Sequence, residues 1–583
     1  MQKPVFVGSG ACKECHESEY EAWKLSDHYK SMQVAGKQTV LGDFNNVVFE
    51  SKGFTNKMFK ADSIFYMILE NHSGKPDTFE VKYTFGHFPL QQYIIEFPDG
   101  HYQCTHVAWD SRENKWFDLY PDLEIHHSEW LHWSGGAQTW NNMCADCHST
   151  NLQKNYHAES DSYHTTWDEI NVSCEACHGP GSEHVRLAKM DAKSELINSS
   201  VFLGAFSSQQ EQMQFCARCH SRRGQLTNSF DFSEHWMQQY SPEILRPGLY
   251  FADGQILDEV YVWGSFTQSK MYREGVRCID CHDPHTYKRK IEGNQLCLQC
   301  HDIRVYDNKT HHFHEPGSQG AQCESCHMPG RYYMVNDYRP DHSFRVPRPD
   351  LSVKYDVPNA CNKCHEEQSA QWASDWVNTW YGDKREFHFS EILLKAAHLE
   401  SSPREIAHFV NIDTIPDIAR ATALFHLENY AGQEALQVLL DCLQHPSALV
   451  RHTAIEGLGL YNSEEFKTNM VKSLFDTEKM VRIAAYNALS GVDISFASAG
   501  DIAQYNRVGE EFFETSTLNS DFPSGKLYLG HYFQRAGEVT VAQHYYEMAL
   551  RDDNYQNMAR MNLSLIYNSQ NQNQKAAGLL KKV

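Results

Sequence analysis

The pattern of apolar and polar positions changes three times along the chain. Between residues 44 and 124 the two kinds of residue alternate, as in 79–85 (FEVKYTF) and 92–97 (QYIIEF). A Pro98-Asp99-Gly100 turn and a further apolar run, 102–109, follow. A period of two broken by turn residues predicts strands joined by hairpins. We therefore expect a β-rich insertion over 44–124.

The C-terminal part has helical periodicity and repeats. Over 385–500, three segments align at a period of 31, each with apolar residues at i, i+4 and i+8: Ala419/Ala423/Leu427, Val450/Ala454/Leu458 and Val481/Ala485/Leu489. One apolar stripe per helix predicts stacked helical repeats, which resemble HEAT repeats.

A second period, of 34 residues, covers 501–583 and resembles the tetratricopeptide repeat. Leu529, Phe533, Ala542 and Tyr546 match Leu563, Tyr567, Ala576 and Leu580. Ser564 replaces the usual small glycine, and Asn554 the usual proline. The repeats predict either a surface that docks a partner protein or a support stacked on the rest of the chain.

Residues 125–384 are irregular, with short helical patches among many His, Gly, Pro and Trp residues. Their apolar runs are too short to form an adequate core. A first segment, 1–43, precedes the β-rich insertion. With 583 residues, the chain is long enough for about three to five domains at ~100–200 residues each.

The net charge limits the classes of molecule that the protein is expected to bind. Lys and Arg number 52 against 75 Asp and Glu, giving a net charge of −23. Such an acidic surface argues against nucleic acid as the main partner. The mean hydropathy is −0.59. No apolar run approaches the ~20 residues of a membrane span.

Sixteen of the 18 cysteines fall into eight copies of Cys-x-x-Cys-His, called motifs 1 to 8 here. In chain order they are Cys12/Cys15/His16, Cys144/Cys147/His148, Cys174/Cys177/His178, Cys216/Cys219/His220, Cys278/Cys281/His282, Cys297/Cys300/His301, Cys323/Cys326/His327 and Cys361/Cys364/His365. Two thiols at this spacing can each bind one vinyl group of a haem, and the next residue is an axial iron ligand.

The motif excludes its main competitors. Zinc sites do not require His after every second Cys, and a thioredoxin-like redox motif has no reason to occur eight times. We therefore expect eight covalently bound haem c groups, with the porphyrins supplying the apolar volume that residues 125–384 lack. The β-rich insertion would then shield haem edges or, less simply, gate a substrate. Cys104 and Cys442 remain, and buried free thiols are the simpler interpretation for both.

Covalent haem attachment takes place outside the cytoplasmic membrane. The motifs therefore predict an exported protein, periplasmic or extracellular, although no signal peptide is visible at Met1. The missing signal is interpreted as removed.

A haem used for electron transfer usually has two axial protein ligands, and a catalytic haem leaves one position open. The candidate second ligands are His28, His132, His184, His285, His312, His314 and His342, with His311 in the same cluster as His312. Met271 is an alternative, as are the weaker candidates His72, His87, His101, His106, His126 and His127. His398, His408, His426, His445 and His452 lie on the predicted repeat helices and are expected to be structural. The stronger candidates are fewer than the eight irons, which leaves room for at least one five-coordinate haem.

The motif contexts resemble a known family. Residues 8–16 (GSGACKECH) with Trp23 and His28, 142–151 (NMCADCHSTN), 172–181 (VSCEACHGPG) and 275–285 (GVRCIDCHDPH) are similar to the cytochrome c-554 and hydroxylamine oxidoreductase superfamily. The resemblance covers roughly residues 8–380. It implies closely stacked haem pairs. The superfamily includes enzymes that act on nitrite, hydroxylamine and tetrathionate. Every motif here ends in His, which departs from the Cys-x-x-Cys-Lys motif of pentahaem nitrite reductases, and no Tyr can be assigned to the haem crosslink of hydroxylamine oxidation.

Two functions remain, and a scaffold with haems as filler is the improbable third. The first is electron transfer through the haems to a redox partner docked on the repeats. The second is an oxidoreductase with one open haem acting on a small nitrogen or sulfur species. Its anion-binding groups would come from Arg218, Arg222, Arg223, Lys270, Tyr272, Arg273 and Arg277, which can equally balance haem propionates. The sequence leaves the catalytic residues unknown, and an oligomer stays open.

Overall fold

The computed structural model describes residues 3–190, 193–202, 208–430, 432–459, 461, 464–489 and 491–583. It begins with three short helices that carry motif 1: α1 (Ser9–Lys13), α2 (Glu17–Lys24) and α3 (Asp27–Lys30). Ser26 caps α3 by accepting the backbone N–H of Tyr29 at 3.2 Å. The indole N–H of Trp23 donates to the carbonyl of Val172 at 2.8 Å, which ties this segment to the region of motif 3.

The predicted β-rich segment is a nine-stranded antiparallel sheet. The strands are β1 (Met32–Val34), β2 (Val47–Ser51), β3 (Phe54–Ala61), β4 (Ile64–Glu70), β5 (Pro76–Phe85), β6 (Leu90–Glu96), β7 (Tyr102–Cys104), β8 (Val107–Asp110) and β9 (Lys115–Asp118). The order is β2-β3-β4-β5-β6-β8-β9, with β1 paired to β5 and β7 to β6.

The sheet extends slightly beyond the predicted insertion. β1 lies within residues 1–43, and fully buried Met32 pairs with Phe85 of β5. The first haem segment is therefore attached to the sheet and not separate from it. One face of the sheet buries Met58, Met67 and Tyr93 at 0% exposure, as the alternation predicts.

The region of motifs 2 to 8 is built from short elements. Its α-helices are α4 (Trp140–Met143), α5 (Ala145–His148), α6 (Cys174–His178), α7 (Ser182–Lys189), α8 (Ser194–Asn198), α9 (Gln209–His220), α10 (Trp263–Phe266), α11 (Lys270–Arg273), α12 (Cys278–Cys281), α13 (Ile303–Tyr306), α14 (Lys309–His312), α15 (Cys323–His327), α16 (Pro349–Tyr355) and α17 (Ala370–Tyr381). Its two-stranded ribbons are β10 (Tyr156–His157) with β11 (Ser162–Tyr163), β12 (Arg223–Gln225) with β13 (Tyr240–Pro242), and β14 (Arg331–Tyr333) with β15 (Asp337–Arg339).

Short 3₁₀ helices complete this region and occur once in the repeats. They are Gly136–Gln138, Trp236–Gln238, Gly293–Gln299, Gln319–Ala321, Cys361–Lys363 and His426–Asn429.

The remainder is helical. The helices are α18 (Ser390–Ala397), α19 (Pro403–Val410), α20 (Asp417–Phe425), α21 (Gln433–Cys442), α22 (Ala448–Leu458), α23 (Glu464–Ser473), α24 (Lys479–Ala488), α25 (Ala499–Leu518), α26 (Pro523–Arg535), α27 (Val539–Asp552), α28 (Asn557–Ser569) and α29 (Asn573–Leu580). The stripe of period 31 predicted for α20, α22 and α24 is buried, and each of its nine side chains is at most 1% exposed.

The repeats share a core with the haem-motif region. One continuous apolar cluster contains Trp236 and Trp263, which lie between motifs 4 and 5, together with Phe409, Leu424 and Val481 of the repeats. The buried ammonium of Lys479 donates to the carbonyl of Leu226 at 3.0 Å. One side of the repeats is therefore covered by the chain itself.

Candidate haem sites

All eight motifs line one connected cavity. Each of the sixteen motif cysteines and eight motif histidines borders it, and its volume is about 4520 Å³. Shared among eight sites, this is about 565 Å³ each, within the ~300–1,000 Å³ of single-ligand pockets. The interior of residues 125–384 is therefore space bordered by thiols and imidazoles, as a haem-filled core requires.

The donor chemistry fits covalent haem. None of the eighteen cysteines, all of which lie among the described residues, forms a disulfide bond, so each motif keeps two sulfurs for thioether bonds. Among the described residues, no group of three or more His, Cys, Asp or Glu side chains has a metal-ion arrangement. The paired-cysteine zinc alternative therefore finds no ligand cluster there.

Four motif histidines face a second imidazole at a nearly constant distance. The ring centroids are 6.1 Å apart for His16 and His184, 6.0 Å for His28 and His220, 6.2 Å for His311 and His327, and 6.2 Å for His314 and His365. Two metal–nitrogen bonds of ~2.0–2.1 Å, plus the distance from each nitrogen to its ring centre, account for this spacing. Each pair can hold one iron between its rings.

Backbone carbonyls orient several of these rings. Nδ1 of His184 lies 3.2 Å from the carbonyl of Ile197, and Nδ1 of His327 lies 2.7 Å from that of Arg345. Nδ1 of His342 lies 3.0 Å from the carbonyl of Pro340. An N–H donated from Nδ1 fixes the tautomer and leaves Nε2 available to a metal.

Burial keeps key imidazoles neutral. Desolvation, with the neighbouring His220 and His148, lowers the pKa of His28 to about 3. Desolvation, with His220 and Arg339 nearby, lowers the pKa of His148 to about 4. Neutral imidazole is the form that ligates iron.

The other predicted axial ligands have different surroundings. His285, His312 and His342 line the cavity, and Nδ1 of His312 accepts the backbone N–H of His314 at 3.2 Å. His132 does not line it. Its Nδ1 lies 2.8 Å from the Ser134 hydroxyl, and its Nε2 lies 4.0 Å from the Glu70 carboxylate. The axial role of His132 stays a prediction, and in this structure its ring lies beside the carboxylate of Glu70 at the end of β4.

Sequence reasoning missed His388, which follows the last motif and precedes α18. It lines the cavity, and Nδ1 lies 2.9 Å from the Ser390 hydroxyl. Desolvation, with Arg345 and Arg348 nearby, lowers its pKa to about 3. The His388 imidazole and the two neighbouring arginines suit the binding of a haem iron or a haem propionate. In the sequence, His388 is a lone His between Phe387 and Phe389, and this pattern matches no recognisable motif.

Motif 1 is held against motif 3, although more than 150 residues separate them. Glu175, inside motif 3, is buried, and its carboxylate accepts the backbone N–H groups of Val7 at 2.9 Å, Gly8 at 2.7 Å and Gly181 at 2.7 Å. Helices α1 and α6 are consequently in contact.

Motifs 2 and 4 are joined by a buried polar cluster. Asp146, inside motif 2, pairs with Arg223 and lies 3.6 Å from Arg218, which is inside motif 4. The Tyr240 hydroxyl donates to the same carboxylate at 3.1 Å. Burial raises the pKa of Asp146, but Arg223 and Arg218 outweigh it and hold that pKa below its usual range.

Among the later motifs, direct contacts join motif 4 to motif 5, motif 6 to motif 7 and motif 7 to motif 8. Cys278 of motif 5 lies 3.9 Å, sulfur to sulfur, from Met213 on the helix that carries motif 4. Asn294, just before motif 6, accepts the backbone N–H of Cys323 in motif 7 at 2.9 Å. Lys363 of motif 8 donates to the carbonyl of Gly330, three residues after motif 7.

Comparison with known proteins identifies the sequence signatures. The family "Cytochrome c554 and c-prime" matches residues 11–46 and 109–179, the doubled CXXCH motif matches 270–304, and HEAT repeats match 414–490. The chain is a multihaem c-type cytochrome. Its tetratricopeptide-like segment stays a prediction.

Two individual proteins are similar to this cytochrome. The dissimilatory sulfite reductase MccA of Wolinella succinogenes is 21% identical over 413 residues, which cover 62% of this chain and 50% of the relative. The chain therefore matches about half the length of that curated relative. The crystal structure of the outer cell wall cytochrome OcwA aligns with a TM-score of 0.44 at 15% identity, over 78% of this chain and 99% of that one. None of the described helices is both long and apolar enough for a membrane crossing.

Proposed function

We propose that this cytochrome binds eight haem c groups and carries electrons through them. The observation that supports this most is the set of four imidazole pairs, at 6.0–6.2 Å, within one cavity lined by all eight motifs. Covalent haem supplies a one-electron redox centre at each such site. Two axial imidazoles leave no iron position for a substrate, as electron transfer requires.

The cross-motif contacts give a spatial order for the relay. Motif 1 lies against motif 3, and motif 2 lies against motif 4. The carbonyl of His28 accepts the backbone N–H of Val172, two residues before motif 3, at 3.3 Å, and its ring pairs with His220 of motif 4, which brings motifs 3 and 4 together. The later contacts join motif 4 to 5, motif 6 to 7 and motif 7 to 8, and burial, followed by the neighbouring Cys297 of motif 6, raises the pKa of Cys281 in motif 5. We infer the order 1–3–4–5–6–7–8, with motif 2 as a branch beside motif 4.

The two ends of this order are open to the surroundings. Cys15 of motif 1 and Cys364 of motif 8 are exposed, as is Cys300 of motif 6. We place the exchange of electrons with other proteins at motifs 1 and 8. Assembly of these haems implies export, so we place the protein in the periplasm or outside the cell.

The test is electron paramagnetic resonance of the oxidised protein and of single His variants. His184→Ala, His28→Ala, His311→Ala and His314→Ala should each convert one low-spin haem to high spin. His132→Ala is the matched control, because its ring lies outside the cavity, and should leave the spectrum unchanged. If these variants keep every haem low-spin, the assignment of the four histidines as iron ligands is wrong.

Motif 2 supports a second candidate, an oxidoreductase site. His148 belongs to none of the four pairs, and its ring meets Phe85 edge-on at 4.7 Å. Tyr261, which borders the cavity, lies next to Cys147 and Cys144 with Arg222 and Glu259 nearby. An open iron beside a phenol and a guanidinium would suit a small oxyanion. The similarity to a sulfite reductase favours a sulfur oxyanion.

Ligand binding decides between the two roles of motif 2. A high-spin ferric signal that shifts on adding sulfite, and that Phe85→His abolishes or weakens by filling the open side, would support the reductase. If the parent protein shows no high-spin signal, motif 2 has no open iron, and electron transfer is its only remaining role.

The role of the repeats is also a proposal. They pack against the region between motifs 4 and 5, which makes them a support for the haem sites. A redox partner would have to dock on outward-facing helices such as α28, where Met558, Met561 and Leu565 are exposed.

A further inference from the structure

We propose that Tyr287 is a positioning residue that joins the haem sites of motifs 3, 4 and 5. The inference rests on the relay proposed above and goes beyond it, because it names the side chain that fixes the relay's central junction. One residue there contacts the imidazoles of His28 and His282 and borders the cavity beside Cys177.

The turn that carries Tyr287 is tightly fixed. It follows motif 5 directly, and the backbone N–H of Tyr287 donates to the carbonyl of Asp283 at 2.9 Å. The Asp283 carboxylate accepts the backbone N–H of Thr286 at 2.7 Å. Tyr287 has φ +58°, a left-handed conformation that bulky residues rarely adopt. Such a conformation persists where the surroundings determine it.

The backbone carbonyl of Tyr287 serves motif 5. It lies 3.3 Å from Nδ1 of His282, the motif histidine, which can donate its N–H there. This contact selects the tautomer of His282 with Nε2 available to iron. The left-handed turn is what aims the carbonyl back at the motif.

The phenol ring serves motif 4. Its centroid is 3.8 Å from that of His28, with the rings inclined at 63°. His28 is the imidazole that faces His220 across the space for iron. The Tyr287 ring therefore limits the rotation of His28 about its side-chain bonds.

The hydroxyl lies beside motif 3: Tyr287 and Cys177 border the same cavity, and burial raises the pKa of the Cys177 thiol while the Tyr287 hydroxyl lowers it in part. Once that sulfur is a thioether it keeps a weak acceptor lone pair, to which the phenol can donate. Donors to sulfur near a redox centre favour its reduced form. The three contacts use three different parts of the residue, which a structural filler would not need.

Two variants separate these contributions in the full-length haem protein. Tyr287→Phe keeps the ring and removes the hydroxyl. Tyr287→Asn keeps the left-handed turn, which Asn tolerates, and removes the ring. Tyr66→Phe on β4 is the matched control, since Tyr66 stacks on Phe59 in the sheet and lies outside the cavity.

Electron paramagnetic resonance and a spectroscopic redox titration give the readouts. Tyr287→Phe should move one haem to lower potential and leave the low-spin g values unchanged. Tyr287→Asn should shift the g values of one low-spin haem or make it high-spin, with the haem count unchanged. Tyr66→Phe should do neither.

The outcomes distinguish the two proposals. If the parent shows paired-imidazole low-spin signals and both Tyr287 variants reproduce its spectrum and titration, the positioning role is overturned and the relay stands. If the parent lacks those low-spin signals, the relay itself fails.

Discussion

The helical repeats and the haem-motif region occupy one molecule but bury their interiors differently. In the repeats, the stripe residues of α20, α22 and α24 pack against each other and are at most 1% exposed. In the haem-motif region, the corresponding interior is a cavity of about 4520 Å³ bordered by cysteines and histidines. A periodic apolar sequence encodes its own core, whereas the eight motifs encode attachment points for a core that is added later.

The largest effect should come from preventing haem attachment. Without haem, the short helices over 125–370 surround a space that no side chain fills. Their backbone amides should therefore lose their protection against hydrogen exchange. Helices α19–α24 should keep theirs, because their stripe is complete without haem. Hydrogen exchange on protein matured with and without haem attachment measures both. Equal protection of residues 125–370 in the two samples would contradict this contrast.

The second test breaks a buried ion pair that joins the C-terminal helices to the haem-motif region. Lys154 donates to Asp521 at 2.7 Å, and neither side chain is more than 5% exposed. Lys154→Met leaves a buried carboxylate unpaired and should cost about 3–5 kcal/mol of unfolding free energy. Denaturant unfolding measures it.

A double variant provides the control for this ion pair. Lys154→Met with Asp521→Leu removes both charges and should recover most of the loss. If the double variant is as unstable as the single one, the effect comes from packing and not from the unpaired charge.

The third test addresses the repeats alone. Leu427, at 0% exposure, ends the first stripe. Leu427→Ala should cost about 2–5 kcal/mol by leaving a cavity, with the haem absorption spectrum unchanged. Leu565→Ala on α28, at 63% exposure, is the control and should be nearly neutral. Calorimetry of both variants decides; a changed haem spectrum in Leu427→Ala would show that the two regions are not separable.

The smallest effect is local to motif 1. Glu175→Gln keeps the shape but weakens the acceptor for the backbone of Val7 and Gly8, at a cost of about 1–3 kcal/mol. Exchange of those two amides should accelerate, with every haem retained. Unchanged exchange would mean that other contacts, such as the Trp23 indole to Val172, hold this segment.

The sequence predicted those parts of the molecule whose signals are local. Alternation predicted the sheet, the period of 31 predicted the HEAT repeats, and the motif spacing predicted covalent haem. His28, His184, His311 and His314 lie near motifs in the sequence, and each faces a motif histidine in the structure. His132 also lies near a motif but outside the cavity, since nearness along the chain does not fix the direction of a side chain.

Long-range contacts could not be predicted. The pairing of motif 1 with motif 3 depends on Glu175 meeting Val7 and Gly8, and nothing in a single sequence couples those positions. His388 and Tyr287 were missed because their roles come from where turns place them. The β1 strand was not predicted because three residues carry too little periodicity.

The central claim is that eight haems complete the interior of this protein, and the intact mass of the purified, exported chain tests it most directly. The expected mass exceeds that of the polypeptide by eight covalently attached haems, and the pyridine haemochrome count should agree. A mature protein with fewer haems, or with haems lost on denaturation, would contradict it.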